Sequence, residues 1–168
     1  GSISAEQRTE IERYAQDERV TVGISAAFSE NNLIRMHYNL LIRLLELAKQ
    51  KETSRRVLFF QDYKYYTLFD DMASKSLLSF SRHPALDMLI QYDRKKGSEL
   101  YQTLRVFTKC GFNKAKTSEE LFLHRNTVNY RISQIEQICG LDLSDTDELF
   151  SLQFSFLVDA YLDNTFDM

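Results

Sequence analysis

The stretch that decides the fold runs Leu121-Phe122-Leu123-His124-Arg125-Asn126-Thr127-Val128-Asn129-Tyr130-Arg131-Ile132-Ser133-Gln134-Ile135-Glu136-Gln137-Ile138. At about 100° per residue, Val128, Ile132, Ile135 and Cys139 fall within one narrow arc, which predicts a helix burying that stripe. The opposite face carries Asn126, Tyr130, Ser133, Gln134 and Gln137, flanked by Arg125, Asn129 and Arg131. Solvated helix faces are ordinarily rich in Glu and Lys. This one is built from amides, hydroxyls, a phenol and guanidiniums.

Working back from that helix, His124 stands at its cap and Phe122-Leu123 form a turn, the former where such turns often have Gly. A short helix precedes the turn. Asn113 can cap it over Lys114 to Leu121; Thr117 with Glu120 three residues on would make a capping box, but leaves barely one turn. Two helices joined this tightly predict a helix-turn-helix, which places the first turns of its second helix in the DNA major groove. Asn and Gln can pair bidentately with adenine, and Arg with guanine or phosphate. Asn126, Asn129 and Tyr130 are therefore candidates for reading base edges, with Gln134 on the same outward face. Arg125, Thr127, Arg131, Lys114 and Lys116 are better placed for phosphate, which sets register without reading sequence, and His124 lies at the helix start beside them.

The charge distribution agrees with a single polyanion-facing surface. The net charge of −3 argues against a general polyanion binder. Yet Arg105 to Gln137 carries six basic residues against three acidic ones, whereas from Asp142 onward there are seven acids and no Lys or Arg. No apolar run approaches the roughly 18 residues a membrane helix needs, so neither a membrane partner nor a membrane location is expected, and the cytoplasm is. Cys110 and Cys139 have no CxxC or Cys/His company and read as free thiols.

Outside the motif, one Pro and five Gly in 168 residues leave few helix breakers. Ala5 to Asp17 reads as a polar helix. Arg19 to Ser25 alternates β-branched residues and predicts a strand. Asn31 and Asn32 start a helix with Leu33, Met36, Leu40, Leu41, Leu44, Leu45 and Ala48 on its apolar face. Val57 to Phe60 is a second strand, and Tyr63 to Phe80 returns to helix. Pro84, the only proline, fits the first position of a new helix after Ser81-Arg82-His83. The expected division is therefore 1–80, an α/β portion, and 81–168, an all-helical part. Within the second part the reading gives a helix from Pro84 to Tyr92, a break at Gly97, a cap at Ser98, and a helix to Cys110 closed by Gly111. The fold class expected is mainly α: a helical bundle with a helix-turn-helix, preceded by a small truncated α/β portion.

Other candidates carry a bland reading. His37 reads as a packed or surface histidine and His83 as a cap or surface residue. Asp70-Asp71 reads as a solvated helix end. The aromatics Phe59, Phe60, Tyr63, Tyr65, Tyr66 and Phe69 read mostly as core, with an interface as the alternative for part of them, since twelve Phe and nine Tyr are many for 168 residues; Phe150, Phe154, Leu157, Val158 and Tyr161 read as the back of the helix-turn-helix. No Ser/His/Asp or Cys/His arrangement is visible, so no catalytic residue, metal ligand or cofactor is expected.

The stretch from His83 to Tyr161 resembles the C-terminal helix-turn-helix of the PucR/CdaR family, regulators of purine catabolism and sugar-diacid use. The resemblance rests on Leu89, Tyr92 and Asp93; on Glu99, Leu100, Thr103 and Leu104; on Leu123-His124-Arg125-Asn126-Thr127-Val128 with Tyr130-Arg131-Ile132; and on Gly140-Leu141-Asp142-Leu143. Ser118 stands where Ala is common, and Thr146 where Pro is frequent. More weakly, Val20 to Ser25, the Leu-rich helix and Val57 to Phe60 look like the closing portion of a degenerate GGDEF-like domain. The residues before that strand, Glu10 to Arg19, hold no Gly-Gly and so no cyclase signature. The resemblance implies a bacterial transcription regulator that is not an enzyme. It also implies that the chain is a C-terminal fragment whose effector ligand binds an upstream domain. Its partner would be double-stranded DNA, bound as a homodimer on two half-sites, since one helix-turn-helix buries little surface. The alternative is a protein-interaction or dimerisation module without DNA binding.

Overall fold

The computed structural model describes residues 3–70 and 75–163. The chain divides into two compact units. The first comprises residues up to Lys75 together with those from Ala160 onward, and the second is Ser76–Asp159.

In the first unit α1 spans Ala5–Asp17, capped by Ser4, whose hydroxyl accepts from the Gln7 N–H while the Gln7 side chain returns to the Ser4 N–H. Strands β1 (Val22–Ile24) and β2 (Val57–Phe59) pair in parallel, with Val22 opposite Val57 and Ile24 opposite Phe59. A parallel pair needs a crossover, and α2 (Ile34–Gln50), entered through a 3-10 turn at Asn31–Leu33, supplies it. The crossover lies close on the strand: a Cβ on Gly23 would sit 3.4 Å from Leu41 Cδ2 and 3.5 Å from Leu45 Cγ. Helix α3 (Phe60–Asp70) follows β2 directly. Ala15, Leu44, Leu47, Leu58, Tyr63 and Phe69 are buried here.

Three sequence expectations need correcting. The first strand is shorter than Arg19–Ser25, because Arg19 takes φ 54° and closes α1, with the Val20 N–H bonded to the Ala15 carbonyl; those residues belong to a helix end. Phe60 starts a helix rather than ending a strand. The helix expected over 63–80 is two: α3 and α4 (Lys75–Phe80). Residues 71–74, including Asp71 of the carboxylate pair, lie outside the described residues.

The second unit is helical. It contains all but the first residue of α4, then α5 (Pro84–Lys96), α6 (Leu100–Lys109), α7 (Lys114–Glu120), α8 (Arg125–Cys139) and most of α9 (Thr146–Leu162). Pro84 occupies the first turn of α5 and the His83 imidazole caps it, accepting from the Ala85 N–H at 3.1 Å. Helix α5 runs past Tyr92 to Lys96 before Gly97, at φ 66°, stops it. Ser98 does not cap α6. The Asp93 carboxylate does so from the preceding helix, accepting from the Leu100 N–H at 2.9 Å, the Tyr101 N–H at 2.8 Å and the Ser98 hydroxyl at 2.6 Å. A carboxylate answers more orphan donors than a hydroxyl can.

One core joins Leu86 and Leu89 of α5, Leu100, Leu104 and Phe107 of α6, Val128, Ile132 and Ile135 of α8, and Leu152 and Phe156 of α9. The backbone leading into α5 is fastened to α9: the His83 N–H donates to Ser155 Oγ at 2.7 Å, and Arg82 forms an ion pair with Asp159, which also accepts from the Tyr101 hydroxyl at 2.8 Å. Burial alone would lower the Arg82 pKa, but Asp159 and Asp87 outweigh it and hold the guanidinium firmly charged.

Candidate nucleic-acid interface

Two capped helices and a tight turn make the site. The Asn113 side chain accepts from the Ala115 and Lys116 N–H groups and starts α7; Thr117, the alternative cap, is fully buried with its hydroxyl donating to the Asn113 carbonyl. The turn closes when the Leu123 N–H reaches the Ser118 carbonyl at 3.0 Å, with Phe122 at φ 54° between them. His124 then caps α8, its Nδ1 accepting from the Asn126 N–H at 3.2 Å. A ring that accepts at Nδ1 carries its proton on Nε2 when neutral.

From that start the buried stripe is Val128, Ile132 and Ile135, with Cys139 half-buried at the end, where burial pushes its thiol up to about 11. On the outward side His124, Arg125, Asn126, Thr127, Tyr130, Ser133 and Gln137 are exposed, Tyr130 by 64%; Asn129 and Gln134 are half-buried. Lys114 and Lys116 are exposed on α7. Among the described residues, none of the side chains of Lys114, Lys116, Arg125, Asn126, Thr127, Asn129, Tyr130 and Gln134 makes a hydrogen bond or ion pair within the chain. Helix α8 thus presents amide, hydroxyl and phenol groups with their hydrogen-bonding capacity unspent.

Arg131 is the exception and corrects the expectation that it stands clear. Its guanidinium donates to Thr103 Oγ1 and to Glu99 Oε2, each at 3.1 Å, and its side chain is only 21% exposed. Thr103 is itself fully buried. Arg131 therefore ties α8 to the start of α6. Sequence reading missed this pair and the Asp93 cap, because both join residues on different helices. At the far end of α8, Gly140 (φ 66°) stops the helix, and Asp142 accepts from the backbone and hydroxyl of Ser144, which lowers its pKa.

Residues 100–158 match the model of the PucR C-terminal helix-turn-helix domain. This segment, about a third of the chain, is similar to a PucR-type helix-turn-helix domain. Helix-turn-helix domains are a form that DNA-binding proteins use. The chain is 26% identical, over 84% of its length, to the DNA-binding transcriptional activator AdeR of Bacillus subtilis, and 27% identical, over 90%, to the carbohydrate diacid regulator of Escherichia coli. It is also 31% identical, over 48%, to the proline-responsive transcriptional activator PutR of Bacillus subtilis. These matches cover 33%, 38% and 20% of the relatives, so the chain spans well under half of their length. No solved structure matches the chain. The PucR-type domain comprises α6 to α8 and most of α9; the Asp93 cap from α5 lies just outside the matched residues. Among the described residues no helix is long and apolar enough to cross a membrane, and no group of three His, Cys, Asp or Glu is placed to hold a metal.

Proposed function

We propose that this chain is the DNA-binding portion of a transcription regulator and that α8 enters the major groove. The observation that carries the reading is the exposed, unpartnered polar face on the first turns of α8. Asn126, Asn129 and Tyr130 read base edges, with Gln134 one turn further on. Lys114, Lys116, Arg125, Thr127 and the His124 Nε2–H hold phosphate. Arg131 acts as a positioning residue through Thr103 and Glu99. The relatives' names support the regulator reading, and no catalytic step or cofactor is assigned. Two copies on two half-sites, and an effector bound elsewhere in a longer protein, complete the proposal. The β1–α2–β2 crossover supports reading the first unit as the closing part of a degenerate GGDEF-like domain.

The test is an anisotropy titration on duplexes selected from a random pool. Asn126→Ala or Tyr130→Ala should cost roughly 1–3 kcal/mol on the selected site and far less on random duplex. Equal losses on both would remove these side chains from base reading. Tight association with another protein that ignores salt, with no duplex binding, would favour the interaction-module reading instead.

A further inference from the structure

Arg94, Lys95 and Lys96 occupy the last turn of α5, and all three are exposed. Cations there complement a helix dipole, but one suffices for that, and α1, α8 and α9 have none in their last turns. The nearby carboxylates are committed elsewhere: Asp93 to the backbone of α6, Glu99 to Arg131, and Asp87 to Arg82. None of the three cations has an ion-pair partner among the described residues. In a chain of net charge −3 this is an unneutralised cluster of three consecutive positive groups.

Its place is set by the Glu99–Arg131 bridge. Glu99 lies three residues beyond Lys96, across Gly97, and holds Arg131 at 3.1 Å. At about 100° per residue, Thr127, Arg131 and Gln134 share one flank of α8. The corner between α5 and α6 therefore sits against the flank of the helix assigned above to the groove.

We propose that Arg94, Lys95 and Lys96 form a second phosphate-binding cluster, gripping the duplex backbone beside α8 independently of Lys114 and Lys116 on α7. The ligand is the phosphodiester backbone, without base preference. This rests on the reading that α8 binds duplex DNA.

The test compares the salt dependence of anisotropy titrations, on selected and random duplexes, for the unaltered chain and for Arg94→Gln/Lys95→Gln/Lys96→Gln. The slope of log affinity against log salt should shrink by about 1–2, and affinity should fall alike on both duplexes. A variant with Arg13→Gln, Arg35→Gln and Lys49→Gln, exposed residues of the first unit, removes the same three charges and should leave the slope unchanged. If the triple variant melts early, the three single substitutions carry the test, and at least one should lower the slope. Slopes equal to the control in all of them would overturn the cluster while leaving groove reading intact. Absence of duplex binding by the unaltered chain would overturn both.

Discussion

Phe122 holds a left-handed backbone at φ 54° with its ring 95% exposed. An L-residue there is strained by roughly 1–2 kcal/mol, and this ring recovers almost nothing by burial. Phe122→Gly should therefore raise stability by about 1 kcal/mol, less the added chain entropy of glycine, and lift Tm. An unchanged or lower Tm would show that the ring has a partner. Cys139 supplies a second check. Because burial raises its pKa to about 11, it stays a thiol at pH 8 and should react with alkylating reagents much more slowly folded than unfolded. The sign for stability follows: the raised folded pKa contributes fully below the unfolded thiol value of about 8.5 and is lost as pH rises through about 11. Alkylation equally fast in both states would contradict this. At this scale the sequence was readable wherever a cap answers its own helix: His83, Asn113 and His124 each act within three residues of where they stand. The left-handed Phe122 was signalled only by its position where glycine is usual.

Between elements, much less could be read in advance. The periodicity of α8 showed its buried stripe because 3.6-residue spacing is a property of one helix alone. Which helix supplies a partner depends on packing, so Asp93 capping α6 and Glu99 meeting Arg131 left no local pattern. Asp93→Ala should unfold the start of α6 and cost about 1–2 kcal/mol, with Asp93→Asn recovering part of it; a stable alanine variant would mean that solvent serves those N–H groups as well. Arg131 gives a sharper prediction. With Glu99 neutralising it, Arg131→Gln should lower stability and weaken all duplex binding with little change in salt slope. Glu99→Gln should free the guanidinium for phosphate and steepen the slope by about 1. A flattened slope in Arg131→Gln would restore it as a direct phosphate contact.

Across the whole molecule, the mainly helical class followed from scarce breakers and long periodicity. The assignment of the last residues did not, because α9 passes from one unit into the other: Ser76–Asp159 is one compact unit, while Ala160 and beyond group with the first. Tyr161 illustrates the point, donating its hydroxyl to Asp70 at 3.0 Å. The Arg82–Asp159 pair of the second unit is poorly exposed, its side chains by 17% and 11%. Removing one partner leaves a poorly solvated charge, so Arg82→Ala should cost about 2–4 kcal/mol by denaturant unfolding. A loss below about 1 kcal/mol would mark the pair as an ordinary surface bridge.

That same fastening has an engineering corollary. Since the polypeptide arrives at Arg82 and departs at Asp159 through touching side chains, the segment between them is a cassette with adjoining ends. It is suited to being grafted whole into a host loop, or circularised, with α7 and α8 undisturbed.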